Sequence, residues 1–280
     1  MTEIVATRKE TSPSARIGGD VRIKAENLSI GPNAAIRDGA TIEGRDITIE
    51  AGAAIGERTR ILADRLWIGY RTQIGSDCRL SGIGKRAGEI VLGDHCYIGD
   101  SSTVLMPVLV VGDYVNMHNH LLANGYKPCY IGHNTWIGQN CVLNSTGDLT
   151  IGNNVGIGAY SSVYTHAFNG ELLEGCKIFN IAPVVIEDNV WVVGGYNVIS
   201  PGVTVGARSM VLTGAVVSKD VPPMHCVGGV PARDLTDRIV PFQNITLDEK
   251  FEMMKKFVRE FVEGAYPSQH EPVEFGFRVG

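Results

Sequence analysis

A chain of 280 residues with 44% hydrophobic content is long enough for one or two globular domains and a buried core. No window approaches the roughly 18 to 20 uninterrupted apolar residues of a membrane span, and the first 30 or so residues hold no apolar run of signal-peptide length, so the chain reads as soluble and cytoplasmic. A net charge of −5 with acids and bases interspersed excludes a basic face for nucleic acid or an anionic bilayer, and any anionic ligand must be met by local charges.

Residues 1–15 show no repeat and read as an N-terminal arm. From residue 16 to about 235 apolar residues recur six apart. Ile30, Ile36 and Ile42 form one set and Ile49, Ile55 and Ile61 another; then come Ile68 and Ile74, Leu92 and Ile98, Ile131, Ile137 and Leu143, Ile151, Ile157 and Val163, and last Val193, Ile199, Val205, Val211 and Val217. Six is neither a helical period nor a simple strand alternation. Four residues after such positions stand Ala34, Ala40, Ala53, Thr59, Thr72, Cys78, Cys96, Ser102, Thr135, Cys141, Val155, Ser161, Ser209 and Ala215, all small or short. A large inward residue on each face, a small one at each corner, and Gly, Asp or Asn in turns that need positive φ describe a three-sided prism of short parallel strands. Three hexads make one coil, and about nine or ten coils of 18 residues fill the span. This is a parallel β-helix, and the spacing leaves its hand open.

Three stretches break the rhythm, at 81–89, 117–129 and 167–183, and loops on a rigid scaffold often carry function. His166 stands where the third begins. The step from Ile186 to Val193 is seven, which predicts a bulge or a register shift. The six cysteines include no Cys-x-x-Cys pair; Cys78, Cys96 and Cys141 fall at the small corner, chosen for size, and no cysteine has an evident neighbouring base. Residues 236–280 contain a helix: Thr246 with Glu249 makes a capping box, Phe251, Met254, Val258 and Phe261 share a face, and Gly264 can end it. It is expected to cap the prism or to pack on a neighbouring subunit.

After His166 come an excursion of about fifteen residues, Pro183 before a strand, Asn189-Val190-Trp191, Pro201-Gly202-Val203-Thr204, Lys219-Asp220-Val221-Pro222-Pro223 and Gly229-Val230-Pro231-Ala232-Arg233. This order resembles the acetyl-CoA-dependent hexapeptide-repeat acyltransferases, which include galactoside, maltose and xenobiotic acetyltransferases. The likeness covers about 130–235 closely and is limited to the repeat before that. It implies an all-β fold, a left-handed parallel β-helix with loop excursions and a C-terminal α-helix, assembled as a homotrimer with sites between subunits. It further implies acetyl transfer from acetyl-CoA to a sugar, amino sugar or similar hydroxyl or amine, with no metal and with His166 as general base, a role suited to an imidazole whose ordinary pKa is about 6.5. The coenzyme would lie along Trp191, Gly194, Gly195, Thr213 and Gly214, with Ser218, Lys219 and Arg233 toward its phosphates. The extra residue leaves open which of Gly194 and Gly195 faces it, with Tyr196 beside them.

For the acceptor, Asn144, one coil before His166, is a candidate for a sugar hydroxyl or a plain turn residue. Glu171 and Glu174 are candidates to orient the imidazole or to hold the acceptor, or are solvated loop charges. His118 and His120 are acceptor-loop residues or simple loop polar groups. Together with His95 and His133 they also raise a rival, the γ-class carbonic anhydrases, which share the prism and bind zinc through three histidines from two subunits; the expected histidine pair five residues apart is missing. A non-enzymatic binding or scaffold β-helix is the third reading, and it has no need of the excursion after His166.

Overall fold

In the computed structural model, which describes residues 1–168, 171, 173–177 and 179–265, the six-residue rhythm becomes columns of inward side chains on three faces. On the first face Ile17, Ile36, Ile55, Ile74, Ile98, Met117, Ile137, Ile157, Val192, Val211 and Val227 stand in parallel register on eleven rungs. On the second face Ile23, Ile42, Ile61, Leu80, Val104, Ala123, Leu143, Val163, Ile199 and Val217 do the same. Ile30, Ile49, Ile68, Leu92, Val111, Ile131, Ile151, Ile186 and Val205 form the third, where a second inward column, Leu28, Ile47, Leu66, Ile90, Leu109, Cys129, Leu149 and Val184, stands two residues before it. Nearly all of these side chains are buried, and between rungs the backbones are about 4.8 Å apart.

The regular coil has 19 residues, not 18, as the register Ile17 to Ile36 to Ile55 to Ile74 fixes. Two corners are tight and take six residues. The corner between the second and third faces takes seven because strands such as Arg22–Ile30 and Arg60–Ile68 run round it unbroken. Residues 1–15, set apart above as an arm, include the strand Glu3–Thr11, which pairs along Arg22–Ile30.

At the tight corners the expected small residues are buried, and each follows a residue in the left-handed region. Asn and Gly fill many of those places, but Arg58, Arg71, His95, Tyr114 and Tyr160 fill others, with φ of 53° to 60°. A bulky side chain there costs about 1 kcal/mol. Contacts between successive turns offset it: His95 and Tyr114 stack at 5.1 Å, and Arg58 donates twice to Asp77 at 2.8 Å. The corner cysteines also do more than fill space. The thiols of Cys78, Cys96 and Cys141 donate to the carbonyls of Gly99, Gly112 and Gly158, the same contact that the Thr59 and Thr72 hydroxyls make to Gly75 and Gly93 at 2.6 Å.

Of the three interruptions, 81–89 is a short loop between the strands Arg79–Ser81 and Ala87–Leu92. The stretch 117–129 is no excursion, because Met117, Ala123 and Ile131 point inward on successive faces and the coil is merely one residue longer than usual. Methionine without a following glycine hid this coil. The stretch 167–183 does leave the prism, as an antiparallel hairpin of His166–Phe168 with Phe179–Ile181; residues 169, 170, 172 and 178 lie outside the described ones.

Val192, not Val193, is the inward residue, so the step from Ile186 is a regular six and the seven-residue step follows it, from Val192 to Ile199. The prism belongs to a compact unit, Met1–Pro241, and a second unit, Phe242–Gly280, holds the helix Leu247–Ala265. Its start is the expected capping box: Thr246 donates its N–H to Glu249 Oε2 at 2.7 Å and its hydroxyl accepts the Glu249 N–H at 3.2 Å. Residues 266–280 of the expected tail lie outside the described ones. Among the described residues no helix is long and apolar enough to cross a membrane.

Thr72 shows what the corners are worth. Its hydroxyl donates to Gly93 and accepts the Cys96 N–H at 2.9 Å. Thr72→Val leaves both backbone groups buried without a partner and should destabilise the prism by about 2 kcal/mol, seen as a lower urea midpoint, whereas Cys96→Ser, which keeps the corner donor, should shift it little.

Candidate active site

The chain leaves the second face at Val163, and Thr165 and His166 start the hairpin that closes where the Ala182 N–H meets the Thr165 carbonyl at 3.0 Å. Asn124 and Asn144 occupy the same place on the two rungs below. Asn144 is 5% exposed and its amide is fully committed. The Nδ2 group donates to the backbone and side-chain oxygens of Asn124 at 3.2 Å, and Oδ1 accepts the Thr146 N–H at 3.2 Å. Buried Thr165 puts its hydroxyl 3.0 Å from the same Oδ1 and accepts the Gly147 N–H.

His166 Nδ1 lies 2.7 Å from Asn144 Oδ1. Since backbone donors and acceptors on both sides identify that atom as the amide oxygen, the imidazole must be the donor. Nδ1 therefore carries a proton, and in the neutral ring this is the tautomer whose lone pair is on Nε2. The Tyr164 ring meets it edge-on at 6.4 Å.

The expected coenzyme residues gather on a different edge, between the first and second faces. Trp191 is 52% exposed at the end of the first face. The extra residue of the seven-residue step bulges next to it, where Gly194 takes φ +67°. A side chain at Gly158 one rung below would overlap the Gly194 carbonyl, so the bulge requires glycine there. On the next rung the Thr213 hydroxyl donates to the Val193 carbonyl at 3.2 Å, and the Gly214 N–H to Gly195 at 3.0 Å. Arg233 pairs with Gly228 one rung further on, so it closes the same column. Tyr196 stacks on Tyr160 at 5.3 Å along it. Ser218 and Lys219 follow Val217 and are exposed on the other edge, that of His166.

One chain thus brings His166 and Asn144 together but keeps them from Trp191, Gly194, Gly195, Thr213, Gly214 and Arg233. The two edges are one strand apart, four residues from Ser161 to Thr165, or about 13 Å. Asn144, a candidate for the acceptor, instead orients the imidazole, the role considered for Glu171 and Glu174. Glu171 accepts the Leu173 N–H at 3.0 Å within its own loop, and Glu174 is exposed. His118 packs between Tyr97 and Trp136, and His120 fills a left-handed turn position. His95 and His133 stand on another corner: His95 stacks on Tyr114, and His133 Nδ1 accepts the Asp113 N–H at 2.9 Å. Burial pushes the thiols of Cys78, Cys96 and Cys141 up, and that of Cys129 to about 12, so none of these supplies a thiolate near neutral pH. Sequence reasoning missed Thr165, Asn124 and Gly158; the recurrence of Asn124 and Asn144 one coil apart was the available signal for the polar cluster.

No family model matches the chain. It is 36% identical over 114 residues to the galactoside O-acetyltransferase of Escherichia coli strain K12, an alignment that covers 39% of this chain and 55% of that protein. It is 28% identical over 239 residues to the bifunctional protein GlmU of Listeria innocua, covering 79% and 49%. A hexapeptide-repeat acetyltransferase of Vibrio cholerae, solved with acetyl coenzyme A, is 32% identical over 53% of this chain and 70% of that one, with a TM-score of 0.38. The chain spans about half the length of the curated relatives it matches. On its sequence relatives and its stacked hexads, the chain belongs to the hexapeptide-repeat acyltransferases, the family built on the left-handed parallel β-helix.

Proposed function

We propose that the chain transfers an acetyl group from acetyl-CoA to a hydroxyl or amine of a sugar-like acceptor, with His166 as general base. The hydrogen bond from His166 Nδ1 to the fixed amide oxygen of Asn144 carries this reading, because it leaves Nε2 as the basic nitrogen. Nε2 takes the acceptor's proton as its oxygen or nitrogen attacks the thioester carbonyl. The new C–O or C–N bond forms, the C–S bond breaks, and the proton passes to the departing sulfur. The relatives' names, galactoside O-acetyltransferase among them, support a sugar acceptor.

The Trp191 edge fits the acyl donor. Among the described residues the N–H groups of Gly194 and Gly195 are not engaged, so they are available to the donor's amides. A Cβ built at Gly214 would meet nothing within 4 Å, leaving room for a thin chain along the column. Arg233 would meet the phosphate end there, and Lys219 across the edge.

Since the base and the donor column occupy opposite edges of the second face, a second copy has to bring its column to the His166 edge of the first. Three copies in a ring satisfy this for each site, and the shape of the prism favours one facing. A three-sided prism subtends only about 60° at a corner, so three copies meeting at the opposite corner would leave their outer edges apart in a ring that needs about 120° each. The edges meet when the second face looks onto the ring axis. Its upper rungs suit burial there: Leu122, Val142, Ser162, Val198 and Val216 are the outward residues.

Thiol release from acetyl-CoA with a panel of sugars and amino sugars tests the reading. His166→Ala should lower the rate by about two to four orders of magnitude; equal rates would remove the imidazole from the mechanism. Asn144→Ala should lower kcat by about 10- to 100-fold, the range for an orienting hydrogen bond, with the acceptor KM nearly unchanged. Gly158→Ala, which displaces the Gly194 bulge, should raise the KM for acetyl-CoA about tenfold or more while circular dichroism keeps its β-helix signal.

A further inference from the structure

The outward side chains of the second face change character halfway along the prism. Above the fifth rung they are the set just described, apolar except for Ser162. On the first five rungs the column just before the inward residues is Arg22, Thr41, Arg60, Arg79 and Thr103, all hydrogen-bond donors, while the column just after them holds Lys24, Glu43, Leu62, Ser81 and Leu105, whose one acid, Glu43, is bonded to Arg86. Arg60 and Arg79 are in direct register on adjacent rungs, about 4.8 Å apart at the backbone, and like charges so placed repel.

Their counter-charges are committed elsewhere. Asp20 is bonded to the terminal amine, with Arg22 a weaker electrostatic neighbour. Asp77 holds Arg58 by two bonds of 2.8 Å, and Glu43 holds Arg86 at 3.3 Å. Among the described residues the guanidinium groups of Arg60 and Arg79 make neither a hydrogen bond nor an ion pair, whereas those of Arg45, Arg58, Arg65 and Arg86 are all paired. A chain with 30 acids and 25 bases thus leaves two adjacent guanidinium groups, those of Arg60 and Arg79, unpaired on one half of one face, with Arg22 two rungs below Arg60.

We propose that this column is a binding site for a compact polyanion, built by three copies of the chain around the ring axis. The inference rests on the ring arrangement proposed above. With the second face turned inward, three Arg22–Arg60–Arg79 columns converge on one mouth whose interior is shielded from bulk water, so their repulsion is strengthened and a ligand with two or more oxyanion groups relieves it. Guanidinium forks from different copies grip the same oxyanions, with Thr41 and Thr103 as additional donors. The ligand class is a pyrophosphate-bearing or polycarboxylate small molecule. Nucleic acid does not suit an enclosed mouth on a protein of net negative charge.

The test uses the full chain with pyrophosphate and citrate as probes, each against sodium chloride at equal ionic strength, reading molar mass by light scattering and the thermal midpoint. Trimer mass with a pyrophosphate or citrate shift on the order of 3–6 °C above the chloride control supports the site, and the stronger of the two identifies phosphate or carboxylate as the source. The double variant Arg60→Gln, Arg79→Gln should still form trimers, lose the shift, and melt higher than wild type when no polyanion is present because the repulsion is gone. A trimer whose midpoint follows ionic strength alone, or a double variant with the wild-type shift, overturns the polyanion site and leaves the ring intact. A monomer mass overturns the ring and the site with it.

Discussion

Everything in this molecule depends on each inward side chain resting on the one a coil below. The coil's backbone donors and acceptors are spent on its neighbours, so the distance between rungs and the width of the interior are both fixed. A regular coil buries four large apolar groups, two of them on the third face, and a tight corner takes a shorter residue, mostly alanine, serine, threonine, cysteine or valine. The interior therefore repeats with little variation, and differences between coils appear in three external places: the outward positions, the left-handed turn residues, and the points where the chain leaves the column and returns.

The proposed chemistry follows from one such exit. Where the hairpin leaves the second face, Thr165 remains inside the edge and His166 stands at its rim. The polar groups below them are not a loop cluster assembled by chance approach. They are one sequence position on consecutive coils, Asn124 and Asn144, held as rigidly as the core. A base oriented by such a ladder loses little entropy on reaching its working angle. The donor edge is set by a different device, one inserted residue at Gly194 made possible by the absence of a side chain at Gly158.

The period, the small corners and the use of positive φ were legible in the sequence because they express a steric requirement repeated many times. The coil length was not, since the wide corner adds one residue and its buried side chains, Leu28, Ile47 and Leu66 among them, fall off the six-residue spacing. Val193 was mistaken for Val192 because two adjacent valines satisfy the same apolar pattern, and the register that separates them is set by Ile157 below and Val211 above. His118 and His120 looked like loop residues because the coil that carries them starts with methionine. The family resemblance singled out His166, but the partner that fixes its tautomer is 22 residues earlier in the chain, and nothing short of the coil register shows that the two meet. The same register is what aligns Arg60 with Arg79, nineteen residues apart, and makes a patch of charges that appear well spaced in the sequence.

The stiffness of the column connects its two halves. Because every rung is bonded to the next, a prism tilts as a whole and does not bend at one coil. Repulsion among arginines at the lower mouth of a ring would then act as a lever on the upper rungs, where Val142, Val198 and Val216 would have to pack and where the His166 edge of one copy would have to meet the Trp191 edge of the next. The lever is long: from the rung of Arg79 to that of Ser162 is four rungs, about 19 Å. A tilt of a few degrees over that length moves a catalytic edge by about 1 Å, a displacement large enough to weaken a proton transfer or misplace an acyl group. In such a ring, neutralising the mouth and aligning the site would be one mechanical event, and the lower coils, which carry none of the catalytic candidates, would act on the proposed chemistry through the angle at which the copies stand.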